Sequence, residues 1–377
     1  MGEAEVALAG FGPARAESAA AATRRGVGVV DQAQDDLMVP ARYSRQVLFG
    51  GLAASGQRAL IDATVVVVGC GGLGCMQATL LVRAGVGRVR IIDRDLVEES
   101  NLQRQVLFDE TDAREMRPKA AAAAEKLRAA NSLVAIEGLV EDLNSVSAAR
   151  LLEGADVIVD ATDNFDTRYL LNDYAVATGT SWVYGACVSS YGVAFAVLPR
   201  DTACLRCVFP EVPPPDAAAS CDTAGVLGPI VGVVASLQVA EALKLLSGQP
   251  QMVNRRMAVV DVWTNELETV ELPARDPQCP CCGKGDFEFL SSGRASETTS
   301  ICGRNAVQVR ARPGTSLDLE TLAARLAPLG SVERNRFLLR AAIDNYELTV
   351  FPDGRAIVVG TDDPAIAKSV YARYVGT

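Results

Sequence analysis

The hexapeptide Gly69-Cys-Gly-Gly-Leu-Gly74 directly follows the β-branched run Ala63-Thr-Val-Val-Val-Val68. A tight glycine turn at the mouth of a strand lets backbone N–H groups approach phosphates, and the helix that follows aims its positive end at them. Asp93 stands about one βαβ half-unit later, closing a second apolar run, where a carboxylate can accept both hydroxyls of a ribose. Gly69-x-Gly71-x-x-Gly74 with Asp93 is therefore a nucleotide signature. Its usual ligand is a dinucleotide redox cofactor, and the same spacing also occurs in buried strand–turn–helix joints that bind nothing.

Three further features surround that turn. Ser100-Asn-Leu-Gln-Arg-Gln105 puts Arg104 among amide side chains just beyond the Asp93 strand. A guanidinium there offers a planar fork to phosphate oxygens and suits a triphosphate, whereas a dehydrogenase does not need it. Lys119, in Arg117-Pro-Lys119, opens a helix and can reach a phosphate as a point charge; it also reads as an ordinary surface lysine. Asp163, in Ala161-Thr-Asp-Asn164, follows the carboxyl end of a central strand, where open α/β sheets bind ligands. A carboxylate at that point can hold Mg²⁺ between phosphates or simply cap the next helix.

The chain has ten cysteines and no histidine. Without imidazole, a Ser/His triad, a histidine base and a His-ligated metal are excluded. The cysteines, in a sequence with no segment resembling a secretory signal, point to a reducing, cytoplasmic setting in which cysteine pairs hold metal more often than they form disulfides. Cys204-x-x-Cys207 and Cys279-x-x-Cys282 are two knuckles with Zn²⁺-ligand spacing, and four thiolates suit a closed tetrahedral structural site. Cys281 competes within the second knuckle; the spacing and the following Gly283 favour Cys279 and Cys282. Simple buried thiols are the alternative. Cys221 stands shortly before a helix expected to open at Pro229, where its thiolate is favoured.

These residues need a scaffold, and the hydrophobic pattern supplies one. Strand-like runs at 63–68, 88–93, 133–140, 156–161 and 181–186 alternate with helical runs at 72–84, 118–130, 145–153 and 165–178. This is a doubly wound, mainly parallel α/β sheet. Shorter strands at 191–198, 256–263 and 266–272 give an antiparallel extension around a loop at 204–222 and a helix from Pro229 to about Leu246. That uncharged stretch reads as a buried helix rather than a membrane span. Residues 1–40, rich in small residues, read as a disordered tail and 41–290 as the main domain. Residues 291–300 read as a linker, and 301–377 as a small α+β domain with the order β-α-β-β-β-α over 305–312, 317–329, 332–343, 346–351, 355–360 and 363–374. Phe351-Pro-Asp-Gly354 is its clearest turn. With 46 acidic against 36 basic residues and a net charge of −10, nucleic acid is a poor partner.

From Tyr43 to Leu290 the sequence resembles the ThiF/MoeB adenylyltransferases, relatives of ubiquitin-activating enzymes with a Rossmann-like fold. The matching motifs are Tyr43-Ser-Arg-Gln46, Gly69–Gly74, Asp93-Arg-Asp95, Ser100–Gln105, Lys119, Thr162-Asp-Asn164, Cys204-Leu-Arg-Cys207, Cys221 with Ala224-Gly-Val, and Cys279-Pro-Cys-Cys282-Gly. The resemblance implies a homodimer using ATP, Mg²⁺ and Zn²⁺ on a ThiS/MoaD-like ubiquitin-like sulfur carrier ending in Gly-Gly. The carrier's carboxylate would attack the α-phosphate, giving an acyl-adenylate and pyrophosphate. On this resemblance Gly69, Gly71, Gly72 and Gly74 cradle the nucleotide, Asp93 binds the ribose, and Asn101, Arg104 and Lys119 bind the phosphates. Asp163 holds Mg²⁺, Arg45 reaches the other subunit's nucleotide, and Cys221 resembles a crossover-loop cysteine that forms a covalent link with the carrier in some members.

The piece from about residue 300 resembles extensions on some bacterial ThiF-like proteins and lacks a rhodanese-type cysteine loop, since the last cysteine is Cys302. Sulfur would then come from a separate donor, a cysteine desulfurase or a rhodanese. The competing readings are an activating enzyme for another carboxylate, on a peptide or a nucleoside, and an NAD-dependent oxidoreductase.

Overall fold

A computed structural model describes residues 39–212, 224–291, 298–301, 305–309, 311, 315–335 and 337–376. The chain divides into two compact units, Met1–Ala54 and Ser55–Thr377. In the first, the described residues form a 3₁₀ turn, Ala41–Tyr43, and a short helix, Ser44–Val47. The tail expected over 1–40 lies outside the described residues except for its last two.

The second unit holds two sheets. The larger has eight strands: β1 (Thr64–Val68), β2 (Arg88–Ile92), β3 (Ala135–Leu139), β4 (Val157–Asp160), β5 (Ser181–Val188), β6 (Tyr191–Val197), β7 (Arg256–Asp261) and β8 (Glu266–Glu271). Their order is β3-β2-β1-β4-β5-β6-β7-β8. The first five are parallel, with Val65 of β1 in register with Val89 on one side and Val157 on the other. From β5 to β8 the pairs are antiparallel, so the expected extension is present. Val65–Val68 and the whole of β4 are buried because helices cover both faces of a parallel sheet.

On one face the Gly228–Leu246 helix packs along Gly72–Ala84 and across β5 and β6. Its length and composition would allow it to cross a membrane, but Ile230, Val231, Val234 and Ala235 are buried here with Leu73 and Ala194. Pro229 sits in its first turn, where a missing N–H costs nothing.

The chain moves outward from β1 through β2 to β3, then returns to the other side of β1 to start β4. The carboxyl ends of β1 and β4 therefore border the crevice at which doubly wound sheets bind ligands.

The second sheet contains β9 (Thr298–Ile301), β10 (Ala306–Val309), β11 (Ser331–Arg334), β12 (Leu339–Ile343), β13 (Tyr346–Val350) and β14 (Ala356–Val359). Its order is β11-β12-β13-β14-β10-β9, antiparallel throughout. Helices Leu319–Leu326 and Pro364–Tyr374 bury Leu322, Leu326, Val370 and Tyr371 with Leu339, Leu348 and Val358. Two details differ from the sequence expectation. The run 332–343 is a hairpin and not one strand, because the Asn335 side-chain oxygen accepts the N–H groups of Phe337 and Leu338 and turns the chain. In addition, β9 takes up the end of the stretch expected as a linker.

Candidate functional site

The glycine turn begins where β1 stops. Gly69 adopts φ +93°, and a side chain there would place its Cβ 2.6 Å from the Ala161 carbonyl oxygen, so both conformation and space demand glycine. A Cβ on Gly74 would come 2.1 Å from the Gly69 carbonyl oxygen; its absence lets the helix start against the turn. On Gly72 it would meet Val231 at 2.9 Å, which makes this glycine a helix-packing residue. Gly71 is different, since a Cβ there would meet nothing nearer than the Gln105 side-chain nitrogen at 3.9 Å. Space beside Gly71, at the N-terminus of the Gly72–Ala84 helix, is open to an anion.

Asp93 closes β2 beside this turn. Its two carboxylate oxygens accept the backbone N–H groups of Cys70 and Asp95, each at 2.6 Å. Burial and then the neighbouring Asp95 push its carboxyl up to about 6, against the pull of Lys119. Lys119 is buried at the head of its helix, with its ammonium 3.3 Å from the Asp95 carboxylate and its backbone N–H donated to the Asp95 carbonyl. Burial opposes its charge, but Asp95 and Asp93 outweigh burial and hold the ammonium above the ordinary lysine range; the charge of Asp163 acts in the same direction.

Asp163 is exposed in the turn after β4. Beneath it, a buried polar network fixes the turn. One Asp160 carboxylate oxygen accepts the Thr162 N–H at 2.8 Å and its hydroxyl at 2.7 Å, the other lies 3.5 Å from Arg168 Nε, and Arg168 donates to the Thr162 carbonyl at 2.7 Å. Gln77 and Gln238 both donate to the Asp160 carbonyl, at 3.0 and 2.7 Å. Thr162 was quoted in the Asp163 motif without a role, and Asp160, Arg168, Gln77 and Gln238 were not expected at the site. The signal available was Asp160 itself, a carboxylate ending an otherwise apolar strand.

Asn101 and Arg104 lie on the 3₁₀ turn and loop after β2. Asn101 is buried, and Arg104 donates to the Ser100 carbonyl at 3.1 Å. The Arg104 side chain runs past both Gly72 and Gly228, with its Cγ 3.6 Å from a hypothetical Gly72 Cβ. Gln105, quoted in the motif but given no role, is buried beside Gly71 with an unpartnered side-chain oxygen. The structure thus gathers Gly69, Gly71, Gly72, Gly74, Asp93, Asn101, Arg104, Lys119 and Asp163 at the carboxyl edge of β1, β2 and β4. Arg45 is exposed on the Ser44–Val47 helix of the first unit, and Cys221 lies outside the described residues.

A separate cluster joins Cys204, Cys207, Cys279 and Cys282, whose sulfurs all lie within 4.8 Å of one another. Three of the pairs are 3.4, 3.7 and 3.9 Å apart. Tetrahedral Zn²⁺ with metal–sulfur bonds of about 2.3 Å requires sulfurs about 3.8 Å apart, so the four thiols fit zinc. Cys281 sits beside the set, where its sulfur accepts a hydrogen bond from Asn172 at 3.3 Å. Its hydrogen bond to Cys204, together with burial, pushes its own thiol far up. The same bond, working against burial, draws Cys204 down to about 4. The choice of Cys279 and Cys282 over Cys281 agrees with this geometry.

Residues 43–281 match the sequence model of the ThiF family. The chain belongs to the ThiF family. A relative from Bacillus subtilis, named sulfur carrier protein ThiS adenylyltransferase, is 46% identical over 338 residues, covering 89% of this chain and 99% of its own. The SAMP-activating enzyme E1 of Haloferax volcanii is 41% identical over 261 residues, covering 69% of this chain and 95% of its own. Among solved structures, the ThiF-family chain superposes on E. coli MccB crystallised with ATP at a TM-score of 0.56 and 25% identity, over 64% of this chain and 74% of that one. The last comparison concerns the fold. The Bacillus relative extends the likeness through the C-terminal sheet, because its match spans nearly the whole of both chains.

Proposed function

We propose that this ThiF-family protein adenylylates the C-terminal Gly-Gly carboxylate of a ThiS/MoaD-like ubiquitin-like sulfur carrier. The observation that supports this reading is that Asp93 is bonded to the glycine turn, Arg104 passes Gly72, and Lys119 feels the charges of Asp93 and Asp163, in a chain 46% identical to a named ThiS adenylyltransferase.

In this reading Asp93 accepts the ribose hydroxyls of ATP with the lone pairs left over from Cys70 and Asp95. Lys119, Arg104 and Asn101 bind the phosphates. Asp163 would hold Mg²⁺, which screens charge between phosphate oxygens. A carrier carboxylate oxygen forms a bond to the α-phosphorus, the bond from that phosphorus to the bridging oxygen of the β-phosphate breaks, and pyrophosphate leaves with the electron pair. No proton moves, so a chain without histidine has all the groups the step requires; positioning and charge stabilisation supply the catalysis.

Four further assignments belong to the proposal. Arg45 acts on the nucleotide of a second copy in a homodimer. The Cys204, Cys207, Cys279 and Cys282 set holds Zn²⁺ as a structural tie. Cys221 links covalently to the activated carrier, and a separate desulfurase or rhodanese in the cytoplasm provides sulfur. We also read 41–290 as the adenylation domain and 301–377 as a module of its own.

The direct test is exchange of labelled pyrophosphate into ATP, which should require a carrier ending in Gly-Gly and vanish when the last glycine is deleted. Exchange that proceeds equally without carrier, or no exchange with any Gly-Gly-ended carrier, rules the reading out. For Cys221, Cys221→Ala should leave exchange intact and remove any covalent adduct with the carrier.

A further inference from the structure

The turn between β13 and β14, Phe351-Pro-Asp-Gly354-Arg355, reaches from the C-terminal sheet to the nucleotide side of the large one. Two hydrogen bonds hold it: the Phe351 N–H donates to the Arg355 carbonyl at 2.9 Å, and the Tyr371 hydroxyl donates to the Gly354 carbonyl at 2.7 Å. Arg355 is only 4% exposed. Its guanidinium lies 3.8 Å from the centre of the Phe351 ring, and one terminal nitrogen donates to the Arg94 carbonyl at 3.0 Å. Its Nε and its other terminal nitrogen have no hydrogen-bond partner, although Asp353 lies 3.7 Å from Nε.

A buried guanidinium with two open donors is costly, and it stands directly behind the Asp93-Arg94-Asp95 turn. Asp95 at present shares Lys119, at 3.3 Å. Arg94 is committed to Asp142 at 2.7 Å and is 3.9 Å from Asp95. If Lys119 binds phosphate, as the functional reading above requires, Asp95 loses its main counter-charge beside Asp93 and an incoming triphosphate. Burial works against the charge of Asp95, although its side chain is still 55% exposed, and Lys119, Arg94 and then Arg355 hold its carboxyl below the usual range.

We infer that Arg355 is a positioning residue that takes over from Lys119 as the counter-charge of Asp95 when Lys119 turns to the phosphates of ATP, so that the C-terminal sheet completes the nucleotide site from behind. The charges of Asp353, Asp142 and Asp95 all reach Arg355, and of these three carboxylates Asp95 is the one that loses a partner when Lys119 turns away. The inference rests on the ATP site proposed above.

The test is equilibrium binding of Mg²⁺-ATP to the full-length protein without carrier, with folding checked by near-UV circular dichroism and gel filtration. Arg355→Met should weaken ATP binding about tenfold. Asp95→Asn removes the charge that needs compensation, so in that background Arg355→Met should change ATP binding by less than about threefold. A purely structural role would give the same loss in both backgrounds, and that result overturns the inference, as does unchanged binding in Arg355→Met alone. Should Arg355→Met fail to fold, Arg355→Gln, which keeps a donor for the Arg94 carbonyl but no charge, carries the same expectations. If the natural protein binds no ATP, the functional reading itself falls and this inference with it.

Discussion

The Asp93 carboxylate accepts the backbone N–H of Cys70 at 2.6 Å, which ties the acid at the end of β2 to the glycine turn at the end of β1. In the proposed site, ribose and phosphate recognition would be coupled through this bond, because a shift of the acid would disturb the loop. This relation also fixes a pH response.

With its carboxyl pushed up to about 6, Asp93 is an anion at pH 8 and about nine-tenths protonated at pH 5. ATP binding should therefore weaken as pH falls through about 6, and Asp93→Asn should bind at least tenfold more weakly and lose that dependence. Stability runs the other way for this group. Its folded value is raised, so ionisation disfavours the folded state above about 6, and the penalty disappears as pH falls toward the unfolded value of about 4. Titrating ATP across pH 5 to 8 checks the first point; a flat natural protein contradicts it.

Two glycines separate fold from ligand. Gly74→Ala forces a Cβ to 2.1 Å from the Gly69 carbonyl oxygen and should destabilise the protein by about 2 kcal/mol or more in urea unfolding. Gly71→Ala has room and should unfold as the natural protein does, yet bind ATP at least tenfold more weakly. Equal ATP binding by Gly71→Ala would show that phosphate does not occupy that space.

Arg168 compensates the buried Asp160 under the Asp163 turn. Burial already pushes the Asp160 carboxyl up against the pull of Arg168. Arg168→Met should cost about 3–5 kcal/mol, since it strands a buried charge, and Asp160→Asn should recover part of that loss. Urea titrations of the two single variants and the double variant give the coupling; strict additivity would mean the pair is independent.

Metal analysis should find one zinc per chain. Cys279→Ser and Cys282→Ser should lose it, and Cys281→Ser should retain it while costing about 1 kcal/mol of packing. Chelation of the natural protein should lower its melting temperature, because the metal ties the segment after β6 to residues some seventy positions later. Zinc lost from Cys281→Ser and kept in Cys282→Ser would reverse the ligand choice.

Much of the site was legible because its parts follow strand ends, and strands announce themselves by apolar runs. Gly69, Asp93 and Asp163 each lie just past such a run, and a doubly wound sheet brings those ends together. The four cysteines with zinc-ligand spacing were legible from that spacing and, for Cys282 over Cys281, from the Gly283 that follows. Less legible were the side chains that brace the site. Gln77, Gln238 and Arg168 lie inside helices with no local signal, and their purpose, satisfying Asp160 and its carbonyl, exists only after packing. Arg355 was hidden for the same reason, since it contacts a carbonyl 261 residues earlier in the chain. The hairpin at Asn335 escaped because nothing in Val332-Glu-Arg-Asn335 marks a side chain that caps its own turn.

The proposed ATP site would act on a carrier's terminal carboxylate. The most direct test is mass spectrometry of a Gly-Gly-ended ThiS-like carrier incubated with the full-length protein, Mg²⁺ and ATP. The carrier should become heavier by one adenylyl group, with pyrophosphate released and no product from Asp163→Asn. An unmodified carrier, from a protein that demonstrably binds ATP, would contradict it.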